Sequence, residues 1–222
     1  MRKLLLATLL AVFPSMAHAQ FAYVEGAIGV SLFPDIETND YSIITRQGEF
    51  FQGNAESAID ASWAFGAEIG YQTGPWRFGA SWDFLDAETD TARLEGTLDG
   101  APFSFEAHDE ELEDFGLSAN HDTNIYAGNV YYVFNAYNVG LIGQGVTPYI
   151  GIGAGAASFH DANTQFAFLA TLGATVPLGQ QSYIGGRYRL AVISGPTLDN
   201  GIEIDGFTTH TFSVVIGFRF GA

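Results

Sequence analysis

The sequence predicts an all-β fold, an eight-stranded antiparallel up-and-down transmembrane β-barrel. Three observations predict it. The first residues read as an export leader. Beyond them, eight segments of about 10–13 residues alternate large apolar with small side chains, near the ~9–11 residues with which a tilted strand crosses an outer membrane. Finally, charge avoids the apolar face of every one of those segments.

Residues 1–19 have the form of a secretory signal peptide. Arg2 and Lys3 supply the positive start, residues 4–13 the apolar stretch, and Ala17-His18-Ala19 the small-x-small cleavage site. The apolar stretch is about half the ~20 residues a membrane helix needs. Cleavage leaves residues 20–222 as a single barrel domain. That portion has no cysteine and no lysine, so disulfides cannot supply its stability. Its six basic side chains, Arg46, Arg77, Arg93, Arg187, Arg189 and Arg219, face 25 acids, a formal charge of −19. Nucleic acid is excluded as a partner, since phosphate binding needs a basic face. No later segment offers ~18 consecutive apolar residues, so a membrane helix is excluded as well.

The strands follow in order. Residues 21–32 place Val24, Ile28, Val30 and Leu32 on one face and Tyr23, Glu25, Gly29 and Ser31 on the other. Pro34 ends the run, and residues 34–60 read as a long polar loop with strand extensions near Tyr41 to Thr45. Residues 61–73 and 76–84 form the strongest hairpin, turned at Thr73-Gly74-Pro75. Trp63, Phe65, Ile69, Phe78 and Trp82 lie on its greasy face, Glu68, Arg77 and Asp83 on its small face. Residues 86–122 carry twelve acids and read as a long, solvated, disordered loop, with a short helix near Asp109 to Phe115. Residues 123–135, 147–159, 164–176 and 182–193 continue the alternation. After a last long loop at 194–208, residues 210–220 close the chain with Phe212, Val214, Ile216, Phe218 and Phe220 on one face and Arg219 on the other. Long connections alternate with short turns, as barrels do between their outer and periplasmic ends; only 160–163 is brief where an outer loop belongs.

The charges sort themselves by this scheme. Of the 25 acids, 22 fall in the outer connections; the other three are Glu25, Glu68 and Asp83. A basic residue facing lipid at midplane costs about 2–4 kcal/mol, and an eight-stranded barrel has an interior just wide enough for side chains to fill. Glu25, Glu68, Arg77, Asp83, Arg187, Arg189 and Arg219 are therefore expected to form a structural charge cluster in the lumen. Closure sets the first strand beside the last and makes Arg219 the candidate partner of Glu25. A filled plug is the expectation; a conducting lumen is the alternative.

Residues "YAGNVYYVF" (Tyr126 to Phe134) and "TPYIGIGAGAA" (Thr147 to Ala157), with "YVEGAIGVS", "IGGRYRL" and "TFSVVIGFRF", resemble the outer-membrane β-barrel domain of opacity-protein and surface-antigen type. The resemblance spans most of the chain outside the two long loops. It implies an eight-stranded, porin-like barrel in the outer membrane of a Gram-negative bacterium, with variable surface loops and no single activity. This chain departs from the family at its end, where Gly221 and Ala222 follow the terminal aromatic.

The expected role is accordingly structural, or one of interaction at the cell surface through acidic outer loops. The alternatives are a narrow pore for small solutes or ions and, behind it, a lipid-modifying enzyme. A secreted soluble sandwich is a further alternative. The expected partners are outer-membrane lipid and lipopolysaccharide, the barrel-assembly machinery through the terminal strand, and an extracellular partner at the loops; a monomer with no cofactor is expected. Catalysis is not expected: the nearest Ser–His pairs, Ser118 with His121 and Ser158 with His160, sit in no nucleophile motif. His108 and His210 are the other two histidines beyond the leader. The acid-rich loop lacks the spacing of an EF-hand, so no calcium site is expected. Strand-end aromatics Trp63, Tyr71, Trp76, Tyr149 and Tyr183 are expected at the membrane interfaces.

Overall fold

A computed structural model describes residues 20–34, 36–38, 40–45, 48–59, 61–86, 89–108, 122–138, 145–159, 162–197 and 202–221. The leader and the 109–115 helix expected from sequence lie outside these residues. The strands are β1 (Gln20–Leu32), β2 (Ile36–Glu37), β3 (Tyr41–Ile44), β4 (Phe50–Ile59), β5 (Ser62–Thr73), β6 (Trp76–Leu85), β7 (Thr89–Leu98), β8 (Ala101–His108), β9 (Thr123–Val133), β10 (Tyr137–Asn138), β11 (Gly145–Phe159), β12 (Gln165–Pro177), β13 (Ser182–Ile193) and β14 (Phe207–Phe220).

Eight of these close into a ring in the order β1-β5-β6-β9-β11-β12-β13-β14, with every neighbouring pair antiparallel. The seam joins the first and last strands over eleven residue pairs, from Ala22↔Phe220 to Leu32↔His210. Closure leaves no sheet edge, so every strand of the ring satisfies its backbone groups against a neighbour, as a lipid environment demands. Parity does the rest. Ile69, Ile152, Leu172, Phe212 and Phe220 are each more than half exposed on the outside, while the residues between them turn inward and are buried. Among the described residues the outward face carries no acid and no arginine.

The interior has two storeys. Toward the long-loop end it is apolar: Leu85, Ile125, Leu169, Ile193 and Phe207 pack with Ala64, Ala127, Ala157, Ala167 and Ala191. Ile202 and Ile204 of the last loop join this cluster from above, as do Phe51, Ala55, Ala92 and Leu94 of a second sheet. Toward the short-turn end the interior is polar and charged.

The second sheet corrects the reading of the two longest connections. Residues 34–60 and 86–122 are not simple solvated loops: β4 pairs with β2, β3 and β7, and β7 with β8, giving a five-stranded sheet. The cause is visible locally. Ala92 and Leu94 point inward while Arg93 and Glu95 point to water, so the strand alternates despite its acids. Leu98-Asp99-Gly100-Ala101 is a two-residue hairpin with Asp99 at φ 50° and Gly100 at φ 81°, the left-handed pair for which Asp-Gly is the favoured sequence. Asp99 also locks the hairpin to β4, its Oδ1 accepting from the Phe50 amide at 2.9 Å. Density of acids concealed a hairpin signal.

Candidate functional site

The inward parity of four strands delivers charge to the lumen. Glu25 comes from β1, Glu68 from β5, Arg77 and Asp83 from β6, and Arg187 and Arg189 from β13; all six are buried. Each carboxylate bridges two guanidinium groups and each guanidinium two carboxylates. Arg77 Nη2 lies 2.8 Å from Glu25 Oε2 and 3.2 Å from Glu68 Oε1. Arg187 reaches Glu25 Oε1 at 3.4 Å and Asp83 Oδ1 at 3.3 Å. Arg189 reaches Glu68 Oε2 at 3.4 Å and makes a short contact with Asp83 Oδ2. The six therefore form a closed, alternating ring of three acids and three arginines, neutral as a whole.

Polar side chains on the same inward faces complete it. The Tyr23 and Tyr131 hydroxyls donate to the two oxygens of Glu68, each at 2.5 Å. Tyr183 donates to Glu25 at 3.0 Å. Asn129 donates to Ser81 at 2.9 Å, and Arg189 Nε to Thr171 at 3.3 Å. The Arg77 guanidinium lies over the Tyr23 ring, 3.7 Å from its centroid. Such a ring is costly to breach: removing one member of a buried pair leaves an uncompensated charge, at about 3–5 kcal/mol.

Arg219 stands apart. Across the seam it faces Tyr23, and Glu25 faces Gly217, so Arg219 lies nearer the short-turn end than the ring does. Glu25 is paired with Arg77 and Arg187 instead of with Arg219, which corrects the pairing expected from strand adjacency. The Arg219 guanidinium is held between the Phe21 and Tyr183 rings, at 5.1 and 4.9 Å from their centroids.

Tyr149 and Tyr183 are also corrected. They are lumenal, 3% and 2% exposed, because their parity is opposite to that of Ile150 and Ile184. Trp63 and Trp76, by contrast, are exposed on the outer wall, where Trp76 stacks edge-on with Tyr132.

Charge counting misses the lumenal tyrosines, Asn129, Ser81 and Thr171, which surround the ring on the same inward faces. Four of the tyrosines share a signal. Each pairs across strands with a glycine: Tyr23 with Gly70, Tyr131 with Gly151, Tyr149 with Gly173 and Tyr183 with Gly217. A Cβ on any of those glycines would fall within 2.6 Å of the facing ring. All four rings lean the same way around the barrel, each onto the next strand in the ring order.

Ser118, His121 and His160 lie outside the described residues, so neither Ser–His pair is placed. His210 is on the outer wall, its Nδ1 2.7 Å from the Tyr188 hydroxyl. Among the described residues no group of three or more metal-ligating side chains occurs.

Comparison with known proteins adds the following. Among curated protein sequences none matches this chain. The solved structures that are similar include two outer-membrane proteins. One is Neisserial surface protein A, at 11% identity and TM-score 0.49, with 90% of this chain and 97% of that one covered. The other is the outer membrane protein OprG from Pseudomonas aeruginosa, at 12% identity and TM-score 0.49, with 92% and 98% covered. The profile of one family, described as the outer membrane protein beta-barrel domain, matches residues 4–220. With that match running almost the full length, through every strand of the closed ring, the chain belongs to the outer membrane protein beta-barrel domain family.

Proposed function

We propose that this barrel is a closed membrane anchor that holds an acidic surface outside the cell, and that it does not conduct. One observation carries the reading: the ring of Glu25, Arg77, Glu68, Arg189, Asp83 and Arg187 lies across the lumen. The apolar storey of Leu85, Ile125, Leu169 and Ile193 is stacked on it under the outer sheet. An ion crossing such an interior would have to displace paired charges and then enter an apolar, close-packed layer, where an isolated charge is strongly disfavoured.

The surface chemistry supports an interfacial role. With 22 of 25 acids in the outer connections, the exposed end repels anionic headgroups and attracts cationic partners or divalent cations that bridge it to lipopolysaccharide. The terminal strand, with Phe218 and Phe220 on its lipid face, is the segment offered to the assembly machinery.

Planar-bilayer recording of the refolded protein tests the proposal. The expected trace has no stable unitary openings. Steady unit conductance that scales with salt concentration would establish the narrow-pore reading instead.

A further inference from the structure

A cavity of about 570 Å³ opens at the short-turn end of the lumen, the end that faces the periplasm in barrels of this kind. It is within the range of small-molecule sites, ~300–1,000 Å³. Two arginines, Arg77 and Arg219, line it, and no acid does. That is unusual placement in a chain with 25 acids and eight basic residues. Arg77 is neutralised by Glu25 and Glu68 on its far side. Arg219 makes no ion pair among the described residues, and it is the one inward arginine outside the neutral ring.

Hydrogen bonding marks the same place. Of the seven buried side-chain atoms without a hydrogen-bond partner among the described residues, three, Arg77 Nε, Arg219 Nε and the Tyr149 hydroxyl, belong to residues that line this cavity. Buried polar groups are rarely left unpaired, because each costs about 1–3 kcal/mol. Three together, two of them on guanidinium groups, describe a set of donors awaiting an acceptor. The Arg219 guanidinium is flanked by the Phe21 and Tyr183 rings, which leaves its edge for a planar, two-oxygen partner. Phe21 and Phe134 give the wall an apolar stretch.

We propose that this vestibule binds a small organic carboxylate from the periplasmic side, its carboxylate on Arg219 and the Tyr149 hydroxyl and its apolar body against Phe21 and Phe134. The site is independent of whether the lumen conducts, since it lies on the short-turn side of the charge ring.

The test is a titration of the refolded full-length barrel in neutral detergent at low salt, following the arginine Nε–Hε signals by NMR. Benzoate is the probe, benzamide its neutral counterpart and inorganic phosphate the alternative anion. The expected result is a saturable shift of the Arg219 signal with benzoate and none with benzamide. Arg219→Gln weakens benzoate binding about tenfold or more, and Tyr149→Phe about threefold or more. The second variant keeps the test decisive if the first refolds poorly. The proposal is overturned if benzamide titrates like benzoate, if phosphate alone saturates the site, if benzoate never saturates, or if neither variant weakens it.

Discussion

Glu68 accepts more hydrogen bonds than any other member of the charge ring. Tyr23, Tyr131, Arg77, Arg189 and Asn129 all donate to its two oxygens. Glu68→Ala strips a partner from two buried guanidinium groups at once, and we expect a loss of about 3–5 kcal/mol. Glu68→Gln keeps the side chain's volume and an acceptor for one of the two tyrosines, and should lose less. Equilibrium urea unfolding in lipid vesicles measures both; losses of equal size in the two variants would mean that the charge alone, and not the packing and hydrogen bonding that Gln retains, holds this layer. At this scale the sequence was legible only in part. Parity alone sends Glu25, Glu68, Asp83 and the four arginines inward, and the structure has them there. It says nothing of depth. Arg219 sits beside Glu25 in strand order but faces Tyr23 in register, and the turn of the barrel brings Arg77 and Arg187 to Glu25 from other strands.

At the scale of the strand, the glycines of β5, β11, β12 and β14 are the other half of the tyrosine arrangement. They are small because a ring from the preceding strand lies over them. Gly173 is the case nearest the vestibule: a Cβ there would fall 2.3 Å from Tyr149 Cζ, between two hydrogen-bonded strands. Gly173→Ala must push the ring out toward the vestibule, and overpacking of this kind costs about 1–3 kcal/mol. Gly186 is the matched control, an outward glycine whose Cβ would meet nothing within 4 Å; Gly186→Ala should stay within about 0.5 kcal/mol of the native protein. If the two variants unfold at the same urea concentration, the tyrosine–glycine pairs are coincidental. The alternation of Ile150, Ile152 and Ala154 with Gly151, Gly153 and Gly155 revealed a strand from sequence alone. Why the alternate positions are glycine did not emerge, because it depends on register with β9 and β12.

The whole molecule divides into a barrel that the sequence announces and an outer sheet that it conceals. Lipid imposes one rule on all eight ring strands, a charge-free outer face, and eight repetitions of a weak pattern are readable. The outer sheet has water on one side, so its strands keep Arg93, Glu95 and Glu56 on the exposed face and read as loop. The division predicts that the barrel closes without β7 and β8. Leu85 pairs with Thr123 across β6 and β9, so Asp86 and Asp122 are close enough for an Asn-Gly turn to replace residues 87–121. Every ring strand keeps both neighbours in that variant, and the charge ring, deeper in the lumen, is untouched. What is lost is the pairing of β4 with β7 and the cover that Ala92 and Leu94 give to the apolar storey, the cover worth about 2–4 kcal/mol by buried area. The shortened chain should still run as a compact, heat-modifiable band on unheated gels and remain silent in planar bilayers, while unfolding at lower urea. Loss of the compact band would show that the outer sheet is needed to close the barrel. Appearance of stable openings would show that the charge ring cannot seal the lumen unless the apolar storey is covered.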